Sequence, residues 1–298
     1  MNVVERQNRG ILITHQHCLD GATAAVVGIS CGLTPIFCEP DRVVPTLESL
    51  PPVPGPVYLA DVSIPSQNWE SLRKSVTYLL DHHQSALPLQ GDIKTTIDLR
   101  RCGSHLMYAY ALDQGWIQPT PQWHRLIHAV ERYDLWQPDH GEGQNLNRLF
   151  YAKGFSWFQQ RFVEGWTPYV PSEGEELAVL IRQEQEFVKH HLQRAELVYA
   201  GSYRIAGVFL EAEGPVNEVA HALLSQDVDL VLFLKPDGRV SARSSPKIDA
   251  ARLMESQFAG GGHARAAGGR LPSDAIASPD TLHTVLESIG PVLSATGL

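Results

Sequence analysis

Val76-Thr77-Tyr78-Leu79-Leu80-Asp81-His82-His83 is the stretch on which the reading of this chain turns. Its first five residues are a short apolar, β-branched and aromatic run of the kind found in buried strands. The run ends at a carboxylate and two imidazoles. Such groups are costly at the end of a buried strand unless they are paired or hold a metal.

The same pattern recurs upstream. Residues 10–14 (Gly-Ile-Leu-Ile-Thr) read as a first strand and residues 34–39 as a second. Val57-Tyr58-Leu59-Ala60 reads as a third, ending at Asp61, and residues 95–97 as a fifth. Residues 20–32 read as a helix whose small residues allow close packing on a sheet. Residues 51–56, with four prolines, read as a rigid connection. Strands alternating with helices predict a parallel sheet covered on both faces. In such sheets ligands bind beyond the carboxyl ends of the strands. His15, Asp61 and Asp81 all fall at that rim.

Residues 121–132 read as a helix running into Tyr133-Asp134-Leu135-Trp136, and residues 174–198 as a long charged helix. Strands are expected at 205–210, 229–234 and 239–242, with Lys235-Pro236-Asp237-Gly238 as a hairpin turn and a helix at 249–258. The expected organisation is an N-terminal domain at 1–172, a linker helix at 173–200 and a C-terminal domain at 201–298.

The 298 residues carry a formal net charge of −9 and no Lys/Arg-rich run. A protein that tracks long nucleic acid needs a basic face. The composition therefore excludes a long duplex as partner and favours a short anionic substrate. None of the four cysteines forms a Cys-x-x-Cys pair, and Cys31, Cys38 and Cys102 read as reduced thiols. There is no apolar run of about 18 residues, and residues 1–10 lack the apolar core of a signal peptide. The expectation is a cytoplasmic protein without a membrane partner.

The motifs then assemble in order. They are His15-Gln16-His17-Cys18-Leu19-Asp20-Gly21, Asp61 in Leu59-Ala60-Asp61-Val62-Ser63, Asp81-His82-His83, and Asp134 in Arg132-Tyr133-Asp134-Leu135-Trp136. Further on come Ser241-Ala242-Arg243-Ser244 and Gly260-Gly261-Gly262-His263-Ala264-Arg265-Ala266-Ala267-Gly268-Gly269. From about residue 10 to residue 270 this order resembles the DHH phosphoesterase superfamily, in the subgroup with a C-terminal DHHA1 domain. The glycine-rich decapeptide is the most specific part of the match.

The resemblance implies an α/β protein: a DHH domain with a five-stranded parallel sheet, a linker helix, and a smaller α/β DHHA1 domain. Members cleave phosphoester or phosphoanhydride bonds with two divalent cations, usually manganese. They include RecJ-like exonucleases, nano-RNases, cyclic-dinucleotide phosphodiesterases and, without DHHA1, pyrophosphatases. The metal ligands it implies are His15, Asp20, Asp61, His82 and Asp134, with Asp61 as the bridge. Asp81 would orient His82, and His83 would face the substrate. In the second domain, Gly260, Gly261, Gly262, His263 and Arg265 would approach the substrate, and Arg243 would donate to phosphate.

Cys18 departs from the pattern, because most relatives have Asp there. Some exopolyphosphatase-related sequences share the His-x-x-Cys-x-Asp-Gly form. As a ligand, Cys18 would favour zinc or iron over manganese or magnesium; otherwise it is a small packed residue.

The function expected is metal-dependent hydrolysis of phosphodiester bonds in short oligonucleotides or small nucleotides. The alternatives are a hydrolase of polyphosphate or small phosphoanhydrides, and a non-catalytic nucleotide-binding protein with a degraded metal site. A homodimer is compatible with either. Of the remaining candidates, His17 reads as surface polar or site-lining. His124 and His128 read as ordinary helix residues, His190 and His191 as solvated. Trp69, Trp116 and Trp123 are expected to pack, and Trp136 to brace the fourth motif.

Overall fold

The computed structural model describes residues 9–51, 55–137 and 139–296. The amino-terminal residues 1–8 and the centre of the proline-rich connection, residues 52–54, lie outside the described residues. The chain divides into two compact units, Met1–Ala178 and Val179–Leu298.

In the first unit, β1 (Gly10–His15), α1 (Leu19–Ser30), β2 (Leu33–Cys38), α2 (Val43–Ser49) and β3 (Val57–Ala60) are followed by α3 (Ser66–Leu72), β4 (Tyr78–Asp81) and β5 (Thr95–Ile97). Then come α4 (Gly103–Asp113), α5 (Pro121–Asp134), α6 (Gly141–Phe162) and the start of α7 (Pro171–Arg194). The five strands form an all-parallel sheet in the order β2-β1-β3-β4-β5.

Alternate strand residues serve two cores. Leu12, Tyr58 and Leu80 pack under α1, α4, α5 and α6. Ile13, Leu59 and Leu79 pack against the opposite layer, which includes Val43, Leu47 and Trp69. This double burial is why the strands read as continuous apolar runs. The strand order reverses direction between β1 and β3. At such a switch point, loops leave for opposite faces and open a crevice at the carboxyl ends. β1 ends in His15 and β3 is followed at once by Asp61.

In the second unit, β6 (Glu196–Ala200), β7 (Tyr203–Phe209), α8 (Val216–Leu224), β8 (Leu230–Leu234) and β9 (Arg239–Ser244) precede α9 (Ala250–Gln257), β10 (Gly261–His263), β11 (Ala266–Arg270) and α10 (Pro279–Thr296). They build a six-stranded mixed sheet, β10-β11-β9-β8-β7-β6, in which only β7 and β8 run parallel. The turn at 235–238 closes the β8–β9 hairpin as expected.

Two local expectations are corrected. The long helix stops at Arg194, and residues 196–198 belong to β6, where Val198 is recruited to the sheet core. His191 is buried rather than solvated, with its ring centroid 4.0 Å from that of Phe187. No helix among the described residues is long and apolar enough to cross a membrane.

Leu12 is fully buried where α1 crosses the sheet. A Cβ on Gly28 would come within 2.6 Å of its Cδ2. Leu12→Ala is expected to cost the first unit about 2–5 kcal/mol. The check is urea unfolding followed by tryptophan fluorescence. All six tryptophans lie between residues 69 and 166, so the signal reports the first unit alone.

Candidate metal centre

The carboxyl end of the parallel sheet gathers the first four motifs. β1 delivers His15, the first turn of α1 delivers Asp20, the β3 end delivers Asp61, β4 delivers Asp81 to His83, and the end of α5 delivers Asp134. Several overlapping donor groups result. His15, Cys18 and Asp61 form one cluster and Asp20, His82 and Asp134 another, while Asp61, Asp81, His82 and His83 also lie together.

Asp61 lies between the first two and presents one oxygen to each. Its Oδ2 is 3.7 Å from His15 Nδ1 and accepts from Cys18 Sγ at 3.0 Å. Its Oδ1 is 3.1 Å from His82 Nε2. That nitrogen is also 3.7 Å from Asp20 Oδ2 and 3.7 Å from Asp134 Oδ2.

The backbone makes unusual accommodations for this convergence. Asp61 adopts a left-handed conformation (φ 60°), which Asp tolerates better than most residues but which still stores strain. A Cβ on Gly103 would lie 2.5 Å from Asp61 Cβ, so only glycine lets α4 start so close. Gly21 has the same role opposite: a Cβ there would meet the His15 carbonyl oxygen at 2.2 Å.

Asp20 is fixed by α4. Its two oxygens accept from the Gly103 and Ser104 amides at 2.6 and 2.9 Å, the unsatisfied N–H groups that suit an anion at a helix N-terminus. Glu131 supports the same helix start. It accepts weakly from the Cys102 amide (3.4 Å) and pairs with Arg101 at 2.9 Å and His105 at 2.8 Å. None of Gly103, Ser104, Glu131 or Glu39, which stands 3.6 Å from His15 Nε2, was expected from the sequence. A Gly-Ser pair opening an apolar run was the only available signal.

Asp81 acts on a different partner from the one expected. Its Oδ1 accepts from the His83 ring at Nδ1 (2.7 Å) and from the His82 backbone amide (2.8 Å). The His82 ring is turned instead towards Asp61, Asp20 and Asp134.

Cys18 caps α1: its Sγ accepts from the Gly21 amide at 3.0 Å. Burial first, then the Asp61 charge, push its thiol up, which suits the proton it donates to Asp61. His17 sits at φ 60° with its ring exposed. His124 and His128 are exposed on α5. Trp69 and Trp123 are buried, and Trp136 stacks with His140 beside Tyr133.

On protein groups alone the carboxylates crowd one another. Burial, then the charges of Asp61 and Asp134, push Asp20 up to about 7. Burial also raises Asp134. Asp61 stays well below the usual carboxylate range despite its burial, because His15 and His82 hydrogen-bond to it. His82 rises to about 10: burial opposes this, and Asp61, Asp134 and Asp20 together outweigh it. Carboxylates buried together with imidazoles fit divalent cations of the manganese or magnesium type, with Cys18 adding a softer donor to one cluster.

The DHHA1 domain family matches residues 205–290. Oligoribonuclease NrnB of Bacillus subtilis is 24% identical over 232 residues, covering 71% of this chain. Both matches support a DHH superfamily member with a C-terminal DHHA1 domain. The chain spans 58% of the length of that curated relative. The fold is shared with a pGpG-specific phosphodiesterase, PggH, of Vibrio cholerae, with a TM-score of 0.59 and 14% identity over 96% of this chain and 99% of the other. An exopolyphosphatase-related protein of Bacteroides fragilis aligns with a TM-score of 0.53 and 13% identity, over 97% and 93%.

Within the DHHA1 unit the glycine run is a packed hairpin, not a loose turn. A Cβ on Gly260 or Gly262 would strike the carbonyls of Gly268 or Ala266 at 1.9 or 2.7 Å. Gly261 and Gly268 pair in register, and a Cβ on either would meet nothing closer than 3.6 Å. On the same face, Arg243, Ala266 and His263 form a cross-strand row. Arg243 is preset by Asn217 and the Ala242 carbonyl, each at 2.8 Å. Arg265 is instead taken up by carbonyls of residues 245, 246 and 248, so its visible work is to hold that loop.

Glu131 titrates below its ordinary range: burial opposes this, and His105 and Arg101 overcome it. A depressed carboxyl stabilises the fold above its unfolded pKa, and the contribution is lost as pH falls through the folded value. Glu131→Gln should therefore lower stability at pH 7 by roughly 1–3 kcal/mol. The gap to wild type should close as pH falls through and below about 4.5. Thermal melts at both pH values test this.

Proposed function

We propose that this chain is a divalent-metal-dependent phosphoesterase that hydrolyses phosphodiester bonds in short oligonucleotides or small nucleotides, in the cytoplasm. The observation that carries the reading is the split carboxylate of Asp61, with one oxygen in each donor cluster. His15, Asp61 and Cys18 would hold one cation, and Asp20, His82, Asp134 and Asp61 the other. Two such ions supply an activated water near neutral pH and offset charge on non-bridging phosphate oxygens.

The chain's own residues supply the rest. The α4 amides hold Asp20 in place. Asp81 fixes the His83 ring through Nδ1 and, against burial, raises its pKa. A protonated His83 can then stabilise phosphate charge or donate to the leaving oxygen. Arg243, with the open Gly261–Gly268 pair before it, offers a bidentate donor and a flat shelf to one end of a nucleotide. The acidic net charge and the absence of a basic track limit the substrate to a few nucleotides.

The names of two relatives, an oligoribonuclease and a pGpG phosphodiesterase, support a nucleotide substrate. Polyphosphate hydrolysis is the second reading. It is favoured by Cys18 and by the exopolyphosphatase-related neighbour.

The test is hydrolysis of a 5′-phosphorylated diribonucleotide with manganese, set beside polyphosphate and elemental analysis. Asp61→Ala is expected to lose both metal and turnover; near-wild-type activity with normal metal content would overturn the bridging role. His83→Ala should keep the metal and lose about 10²–10⁴-fold in rate. Cys18→Asp should shift preference towards manganese. Indifference of metal profile and activity to both Cys18→Asp and Cys18→Ala would leave Cys18 with its helix cap alone. Arg243→Ala should raise KM for the diribonucleotide far more than for bis-p-nitrophenyl phosphate. An equal loss on both would remove Arg243 from nucleotide binding.

A further inference from the structure

One face of α6 touches residues that adjoin both the first and the fourth motif. Gln144, Asn147, Arg148 and Tyr151 fall at i, i+3, i+4 and i+7, so they share that face, to one side of the buried Gly143, Leu146 and Phe150. Asn147 Nδ2 donates to the Tyr133 hydroxyl at 2.9 Å, next to Asp134. Tyr151 donates its hydroxyl to the His17 carbonyl at 2.6 Å, between His15 and Cys18. The strip therefore runs along the rim of the metal cluster within the first unit.

Tyr151 is 63% exposed. Its polar end is tied to the loop that carries His15, and Phe150 meets its ring edge-on with centroids 5.6 Å apart. A hydroxyl held at a fixed point and a neighbour packed edge-on orient the ring while much of the residue stays exposed. Arg148 lies about one turn earlier on the same side. An oriented, exposed aromatic ring beside a phosphate-cleaving centre has the properties of a base-stacking platform, which accepts any base because each has a π-face.

We infer that Tyr151 stacks against a nucleobase of the bound substrate and supplies base-dependent binding from the catalytic unit itself. The inference rests on the phosphodiesterase reading above and deepens it, because inorganic polyphosphate has nothing to stack.

The experiment uses the full chain with manganese. It compares kcat/KM for a diribonucleotide with that for its two abasic analogues, each lacking one base. Wild type is expected to favour the intact substrate over one of the analogues. Tyr151→Ala should shrink that preference by about 5- to 150-fold, the range that loss of one stacked base supplies. Tyr151→Phe and Tyr151→Trp, which keep a ring, should retain most of it.

An equal fall on intact and abasic substrates would overturn the inference, because the ring would then only position the first-motif loop. So would a Phe variant as impaired as Ala, since the hydroxyl tether alone would matter. If wild type cleaves polyphosphate but no diribonucleotide, the stacking role and the phosphodiesterase reading both fall. If wild type cleaves the diribonucleotide and Tyr151→Ala keeps full base preference, the stacking role falls alone.

Discussion

Three carboxylates, Asp20, Asp61 and Asp134, converge on the Nε2 of one buried histidine, His82. A protein does not collect negative charge in this way without a counter-charge, since each added carboxylate disfavours ionisation of the others. Much of the surrounding structure can be understood as the means of holding them. Gly21 and Gly103 let two helices approach closer than any side chain would allow. The α4 amides grip Asp20. Glu131 with Arg101 and His105 secures the helix that carries those amides. The left-handed turn at Asp61 persists because the β3 end and α4 leave it no alternative.

Part of this candidate centre was legible in the chain because His15, Asp61 and Asp81 fall at strand ends, which are marked by abrupt loss of apolar character, whereas Asp20 and Asp134, on helices, came only from the motif order. Residues 10–14, 57–60 and 76–80 all stop at a titratable group. The supporting layer was not legible. Helix α4 is buried between α1, α5 and the sheet, so its apolar residues show no amphipathic stripe to reveal it. Helix α6 contains a break at Gly154 (φ 76°), which interrupts its periodicity. Gly103 and Ser104, which hold Asp20, open the first, and Asn147 and Tyr151, which tether Tyr133 and His17, sit on the second. They act through backbone amides and long-range pairs that local patterning does not encode.

The second unit shows the opposite relation between motif and structure. Its most recognisable stretch, the glycine run, combines two demands that look alike in sequence. Gly260 and Gly262 are small because the chain folds back on itself there. Gly261 and Gly268 leave room on the open face beside Arg243. Arg265 belongs to the first demand, bound up with the carbonyls of the neighbouring loop, and Arg243 faces the second. A glycine-rich motif is thus partly architecture and partly surface, and only the register of the hairpin separates the two.

The candidate metal-binding groups are scattered from His15 to Asp134, and the amides that hold Asp20 come from residues 103 and 104. During synthesis, when the chain emerges from its amino end, the first donor cluster can exist after Asp61 while the second still lacks its anchor. The complete centre waits for α4 and α5. A nascent chain therefore carries the first candidate ligands before the full donor set exists. A cation held there would meet its full donor set only after Asp134 has been made.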